Sequence, residues 1–333
     1  MPPVGSLSAL REVATPASSE IESLAAEVRS RLHAGRSPGF DPEAGETIVL
    51  PDAPGAGHWA GAPSVVVAEH GRVLLSYRRR RPRDGSPDER GYLGAIAESN
   101  DGGRSFADIW RVTKHEIGTS SLERSCLRRA PEGDWLLYTS WEDPPSSGKW
   151  RVDVLRAPVP GGFSAASATG VLLPDDLGVD AVKDPYVLTY GGEMLMYVST
   201  FLTPQGPAPT GLATSRDGVR FAWQGEALGV GAGWDAYQAR LSSVSRLGAG
   251  FVGYYDGAAS PADDTEEHCG VAVSLDLRSW HRVTPERPAL VSPHASGSLR
   301  YVEAVDIEGS SFVYYEYARP DGSHELRRNQ LAT

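Results

Sequence analysis

Three carboxylates stand at the mouths of strand-like segments: Glu123 in LERSCL, Asp184 in AVKDPYVL and Glu303 in RYVEAV. A strand fixes the backbone of such an acid while the adjoining loop leaves its side chain open to a ligand, so these positions suit proton transfer. Asp184 has a further constraint, because Pro185 holds it toward an extended conformation. Cations occupy neighbouring positions: Arg124 follows Glu123, Lys183 precedes Asp184, and Arg240 opens a similar segment, QARLSSV. They would hold an anionic or hydroxylated ligand, or neutralise the acids. The bland alternatives are a structural ion pair at Glu123–Arg124 and a turn-forming acid at Asp184. Side chains alternate along a strand, so Glu123 and Arg124 are not both expected to face the same way.

These segments belong to a repeat. A first strand recurs at Ala62, Arg124, Asp184, Arg240 and Glu303, at intervals of 56 to 63 residues. Each runs into a tight turn; the one at Tyr190–Gly192 carries Gly-Gly, a strong hairpin signal. Second strands follow: VLLSYR, WLLYTSW, MLMYVST, FVGYYDG and FVYYEYA. Their ends carry Arg78, Trp141, Asp256 and Glu316. Third strands come after long, varied loops. Three units continue into an Asp-centred turn before an aromatic: SNDGGRSF, SRDGVRF and SLDLRSW.

A strand-and-turn repeat of this length predicts an all-β, five-bladed β-propeller with a short N-terminal helical extension. The domains are then an arm and helix over 1–45 and the propeller over 46–333. The last unit lacks a fourth strand. Glu46–Leu50 is expected to supply it by pairing near His324–Leu331, which removes two sheet edges. The long loops gather on one face, over an axial pocket floored by the first-strand starts. Residues 1–18 read as a mobile arm. After them Ile21, Leu24, Val28 and Leu32 recur at helical spacing, capped by Ser18 or Ser19. That stripe packs on the main domain or serves a homodimer.

The net charge of −11 argues against a nucleic-acid partner. No apolar run reaches the length of a membrane span, so no membrane partner is expected. The first residues lack the pattern of a secretory signal. Two cysteines, Cys126 and Cys269, make no disulfide framework. A cytoplasmic location is the expectation. No His or Cys pair has metal-ligand spacing, so no metal and no cofactor are expected. His268, beside Glu266, Glu267 and Cys269, reads as loop.

Five units, acidic first strands and the KDP of Lys183–Pro185 resemble the glycoside-hydrolase propeller superfamily of arabinanases, β-xylosidases and invertases. WAGAPS, LERSCL, AVKDP and PDGSHELR also resemble a group of actinobacterial propeller proteins. The superfamily resemblance implies a pKa-tuning, substrate-orienting role for Asp184. It implies a base Asp where this chain has Ala62, and a general-acid Glu where QARL brings Arg240. It implies an oligosaccharide or small-molecule ligand, against which Trp59 and Trp141 would stack and His58 would lie. Both Trp residues also suit interblade packing, and Asp256 suits a loop. The basic run Arg78–Arg81 is a solvated loop or a site for an anionic substrate.

The leading expectation is a glycoside- or polyol-active hydrolase in which two of Glu123, Asp184 and Glu303 share the acid and base roles. A lyase or cyclase of small-molecule biosynthesis and a non-catalytic carbohydrate-binding propeller are the alternatives.

Overall fold

The computed structural model describes residues 18–332, and it is built mostly of strands. The expected N-terminal arm lies, but for Ser18, outside the described residues. The helical spacing that starts at Ile21 forms helix α1, Ser18–His33. Ala25 and Val28 are buried, and Ile21, Leu24 and Leu32 pack on the same core as Val271 and Val283. Arg29 Nη1 also donates to the Val283 carbonyl at 3.2 Å. The apolar stripe offered for a homodimer is therefore covered by the chain itself.

Strand β1, Glu46–Val49, comes next. The first unit is β2 (Trp59–Val67), β3 (Val73–Arg81), β4 (Arg90–Ser99) and β5 (Ala107–Thr113). The second is β6 (Leu122–Arg129), β7 (Trp135–Glu142), β8 (Trp150–Ala157) and β9 (Thr169–Leu172). The third is β10 (Ala181–Tyr190), β11 (Glu193–Phe201), β12 (Thr210–Ser215) and β13 (Ala222–Leu228). The fourth is β14 (Gln238–Leu247), β15 (Gly250–Ala258), β16 (His268–Ser274) and β17 (His281–Arg282). The last holds β18 (Leu299–Ile307), β19 (Ser310–Ala318) and β20 (His324–Gln330). Within each unit the strands pair antiparallel in chain order, as four-stranded sheets fitting propeller blades do. β1 joins the last unit by pairing antiparallel with β20, Glu46 opposite Arg328 and Val49 opposite Leu326. A lone parallel bridge, Trp59 to His324, links that unit to the first. Among the described residues no sheet closes on itself.

First strands pack in sequence: β2 on β6, β6 on β10, β10 on β14, β14 on β18, and β18 back on β2. The core fills the spaces between successive sheets. Leu74 and Leu137 share one such layer, Val152 and Met196 another, Leu195 and Tyr255 a third. Val271 and Val313 pack together, and Tyr314 reaches Val65. Asp101, Asp217 and Asp276 fold the Asp-centred turns by accepting two backbone N–H bonds each. Each turn then seats its aromatic against a tyrosine of the unit beside it: Phe106 on Tyr314, Phe221 on Tyr138, Trp280 on Tyr197.

Every first strand carries a bulge at the same level. Three residue steps on the first strand match two on the second: Gly61–Ser64, Leu122–Ser125, Lys183–Tyr186, Arg240–Ser243 and Arg300–Glu303. This register corrects the interval count. Ala62, Glu123, Asp184 and Tyr301 are equivalent. Arg240 and Arg300 match Lys183, one residue earlier, and Glu303 lies two residues beyond the Asp184 level. Ala62, Asp184 and Tyr301 take φ of 53°, 59° and 52°. Non-glycine residues there cost of order 1 kcal/mol, least for Asp.

Candidate functional site

The bulges turn the backbone of each first strand and expose N–H groups to the middle of the ring of first strands. Carboxylates from neighbouring units satisfy several of them. Glu316 Oε2 accepts from Ala62 N at 3.0 Å, Asp256 Oδ1 from Tyr301 N at 2.9 Å, and Asp184 Oδ1 from Arg124 N at 3.1 Å. Gly61 is fixed by the same packing, because a Cβ there would run into the Glu316 carboxylate.

The outward oxygens meet arginines. Arg240 serves three acids: Asp184 at 2.8 Å, Asp256 at 3.0 Å and Glu267 at 2.9 Å. Arg300 bonds Glu267 and, at 2.6 Å, Glu316. His324 sits between Glu316 at 2.8 Å and Glu266 at 3.0 Å. Carboxylates on both ring nitrogens require both to donate, and they raise its pKa against the opposing effect of burial. Arg78 pairs with Glu123. Arg124 reaches across the ring to the Pro63 and Ser242 carbonyls and to Glu303 at 2.7 Å. Glu303 also binds Arg128 at 3.0 Å.

This arrangement corrects the expected open axial pocket. Arg124 and Asp184 are 0% exposed and Arg240 1%, so ion pairs fill the axis where a ligand-lined floor was expected. A cavity of about 690 Å³ does open beside β1, lined by Thr47, Leu50, His294, Arg319 and Glu325. It shares no residue with the axial cluster.

One guanidinium cannot neutralise three carboxylates, and the proton affinities divide accordingly. Burial pushes the Asp184 carboxyl upward, but Arg240, Lys183 and Arg78 overcome it and hold it at about 2. Glu267 is likewise buried, yet Arg300 and Arg240 bring it to about 2. Asp256 is the acid left over. Burial, aided by Glu267, raises it to about 6 against the pull of Arg240.

The remaining expected site residues divide between this cluster and its surroundings. Lys183 points to the rim, 4.0 Å from Asp264 and over the Phe201 ring. Trp59 is buried, stacked on His324 at 4.7 Å and flanked by Arg80 and Arg300, so neither role as a free sugar platform nor plain interblade packing describes it. Trp141 packs in the core between the first two units with Leu122 and Trp110. His58 is half-buried beside Trp59, and its Nδ1 has no partner. Asp256 is in β15, not in a loop.

Sequence reading missed Glu267, Arg300, Tyr301, His324 and Asp264. The Tyr301 ring lies 4.0 Å from the Arg240 guanidinium. Asp264 is partly exposed, 4.0 Å from Lys183, and burial, with Glu267 and Asp184, raises its carboxyl against the pull of Lys183 and Arg240. Its Oδ1 is buried without a partner. The repeated Arg at equivalent positions in QARL and SLRY was the available signal for Arg300. Among the described residues no cluster of three His, Cys, Asp or Glu side chains is disposed to hold a metal.

No protein-family model matches the chain, and no curated protein matches it. Solved structures do. The RS223 β-xylosidase superposes with a TM-score of 0.61 at 12% identity, over 86% of this chain and 95% of that one. The GH43_1 enzyme from Xanthomonas citri complexed with xylotriose gives 0.59 at 13% identity, over 86% and 91%. The α-L-arabinofuranosidase from Lactobacillus brevis gives 0.60 at 14% identity, over 81% and 90%. The chain has the fold of these glycoside hydrolases, and at such identities the likeness is one of fold.

Proposed function

We propose that the chain is a five-bladed propeller enzyme acting on a glycoside or related polyol at the rim above the Asp184–Arg240 pair. Residues 46–333 make the propeller and 1–45 an arm and helix. Cyclic packing of the first strands and the β1–β20 pairing support five blades. Shared fold with a xylotriose-bound enzyme supports a carbohydrate ligand. Two buried, unbridged cysteines suit the cytoplasm.

The observation that carries the enzymatic reading is Asp264. It is a raised, partly exposed carboxyl with an unpartnered buried oxygen, 4.0 Å from Lys183, whose charge also acts on the neighbouring ionised Asp184. Two acids whose surroundings drive their proton affinities apart form an acid–base pair. Asp264 gives its proton to the leaving oxygen as the C–O bond breaks. Water adds to the sugar carbon and returns a proton to the Asp264 carboxylate. Asp184 stays ionised and favours the positive charge that develops on the sugar ring. Glu303, held by Arg124 and Arg128, takes no part.

The test is release of nitrophenol from a panel of nitrophenyl glycosides by the wild type and Asp264→Asn. The variant should lose about 10²–10⁴-fold in kcat while melting normally. A specific observation favours a second reading, a carbohydrate-binding propeller: Ala62 and Arg240 stand where the resemblance implies a base and an acid. Sugar binding by calorimetry with no turnover on any glycoside would establish it. An unsaturated product would instead mark a lyase.

A further inference from the structure

We propose that the substrate carries an oxyanion, a carboxylate or phosphate on a sugar, and that Arg80 receives it with Trp59 and His58 beside it. The inference rests on a ligand at the rim, as above, and adds its chemical class.

The run Arg78–Arg81 divides by strand face. Arg79 pairs with Asp52 at 2.6 Å, Arg81 with Asp88 at 3.3 Å, and Arg78 with Glu123. Among the described residues Arg80 has no carboxylate within 4.0 Å. Its guanidinium lies 4.4 Å from the Trp59 ring, its direct partner across the β2–β3 ladder. Among the described residues three nitrogens here are buried and bond nothing: Arg80 Nε, Trp59 Nε1 and His58 Nδ1.

Two of the three are obligate donors. Buried donors without acceptors are destabilising by roughly 1–3 kcal/mol each, so the site is built for an acceptor. Charge decides which kind. Among the described residues no carboxylate pairs with Arg80, so its cation is held without a counter-ion of its own, and burial, with Arg78 and Arg300 nearby, lowers its pKa to about 10 despite Glu123. A sugar hydroxyl answers the donors but not the charge. An oxyanion answers both, and the planar fork of Arg80, held on Trp59, matches its two oxygens. Arg80 and His58 are only half-buried, which leaves the ligand a way in.

Titration calorimetry of the full chain at low salt, with glucuronate, glucose 6-phosphate and glucose, tests this. At least one of the two anions should bind about tenfold or more tightly than glucose, and lose affinity as salt is added. Which of them binds tighter tells carboxylate from phosphate. Arg80→Gln should lower the anion's affinity about tenfold or more and leave that of glucose unchanged. If that variant does not fold, Arg80→Lys keeps the charge, loses Nε and the planar stack, and should still weaken the anion. Equal binding of glucose, no anion binding at millimolar concentration, or indifference to both substitutions overturns the proposal. Anion binding through Arg80 with no turnover leaves it standing and removes the enzymatic reading. Turnover of neutral glycosides untouched by Arg80→Gln does the reverse.

Discussion

Asp184 Oδ2 and Arg240 Nη1 meet at 2.8 Å across two neighbouring units, with both side chains closed off from solvent. An acid expected at a strand mouth open to a ligand is instead part of the interior. Arg240→Met should therefore destabilise strongly, by about 3–5 kcal/mol, because it strands two buried carboxylates, Asp184 and Asp256, and leaves Glu267 to Arg300 alone. Asp184→Asn should cost about 2 kcal/mol, the worth of a hydrogen bond to a charged group. Urea unfolding of both variants checks this. Midpoints equal to wild type would show the cluster to be open and solvated.

Asp256 makes stability depend on pH in a definite direction. Its folded-state value of about 6 lies above the ordinary 3.8. The protonated form thus favours the folded chain, fully below about 3.8, and that contribution is lost as pH rises through about 6. The drop is about 3 kcal/mol at most. Asp184 and Glu267, held at about 2, act the other way and only as pH falls below about 4. Asp256→Asn should flatten the slope between pH 4 and 6, read from denaturation midpoints across that range. A slope that persists in the variant assigns the titration elsewhere.

The architecture was legible because it repeats. Turn residues, the Asp-centred turns and the stray strand at Glu46 each announce themselves locally. So do the second-strand ends, since Arg78, Trp141, Asp256 and Glu316 share one register. The first strands misled. Counting intervals set Arg124, Arg240 and Glu303 level with Asp184, whereas the ladder pairings set Glu123 and Tyr301 there. Glu267 and Asp264 were hidden for another reason. They lie in a variable loop, and only the fold brings Glu267 onto Arg240 and Asp264 to Lys183.

The Asp-centred turns predict a shared energetic unit. Tyr138 donates to Gly218 O at 2.8 Å and Tyr197 to Leu277 O at 2.6 Å, each bond tying a turn to the preceding unit. Tyr138→Phe and Tyr197→Phe keep the ring packing and lose one buried bond. Each should cost about 1 kcal/mol, and the two should add, because they sit in different interfaces. Guanidinium unfolding of the single and double variants measures this. A double variant far weaker than the sum would couple the two interfaces.

Lys183 offers the sharpest test of the proposed acid. Its ammonium lies 4.0 Å from Asp264 and lowers that carboxyl, which burial otherwise raises; it also helps to depress Asp184. A working acid must be protonated, so the rate should fall as pH rises through the Asp264 value. Lys183→Met retains an apolar side chain against Phe201 and removes the charge. Without it Asp264 holds its proton to higher pH. The alkaline limb of kcat/KM should then move upward in Lys183→Met and vanish in Asp264→Asn. The acid limb, where Asp184 must be ionised, should also move upward. The measurement is a pH–rate profile of the three proteins on one nitrophenyl glycoside. An alkaline limb unmoved by Lys183→Met, or retained without Asp264, would remove Asp264 as the proton donor.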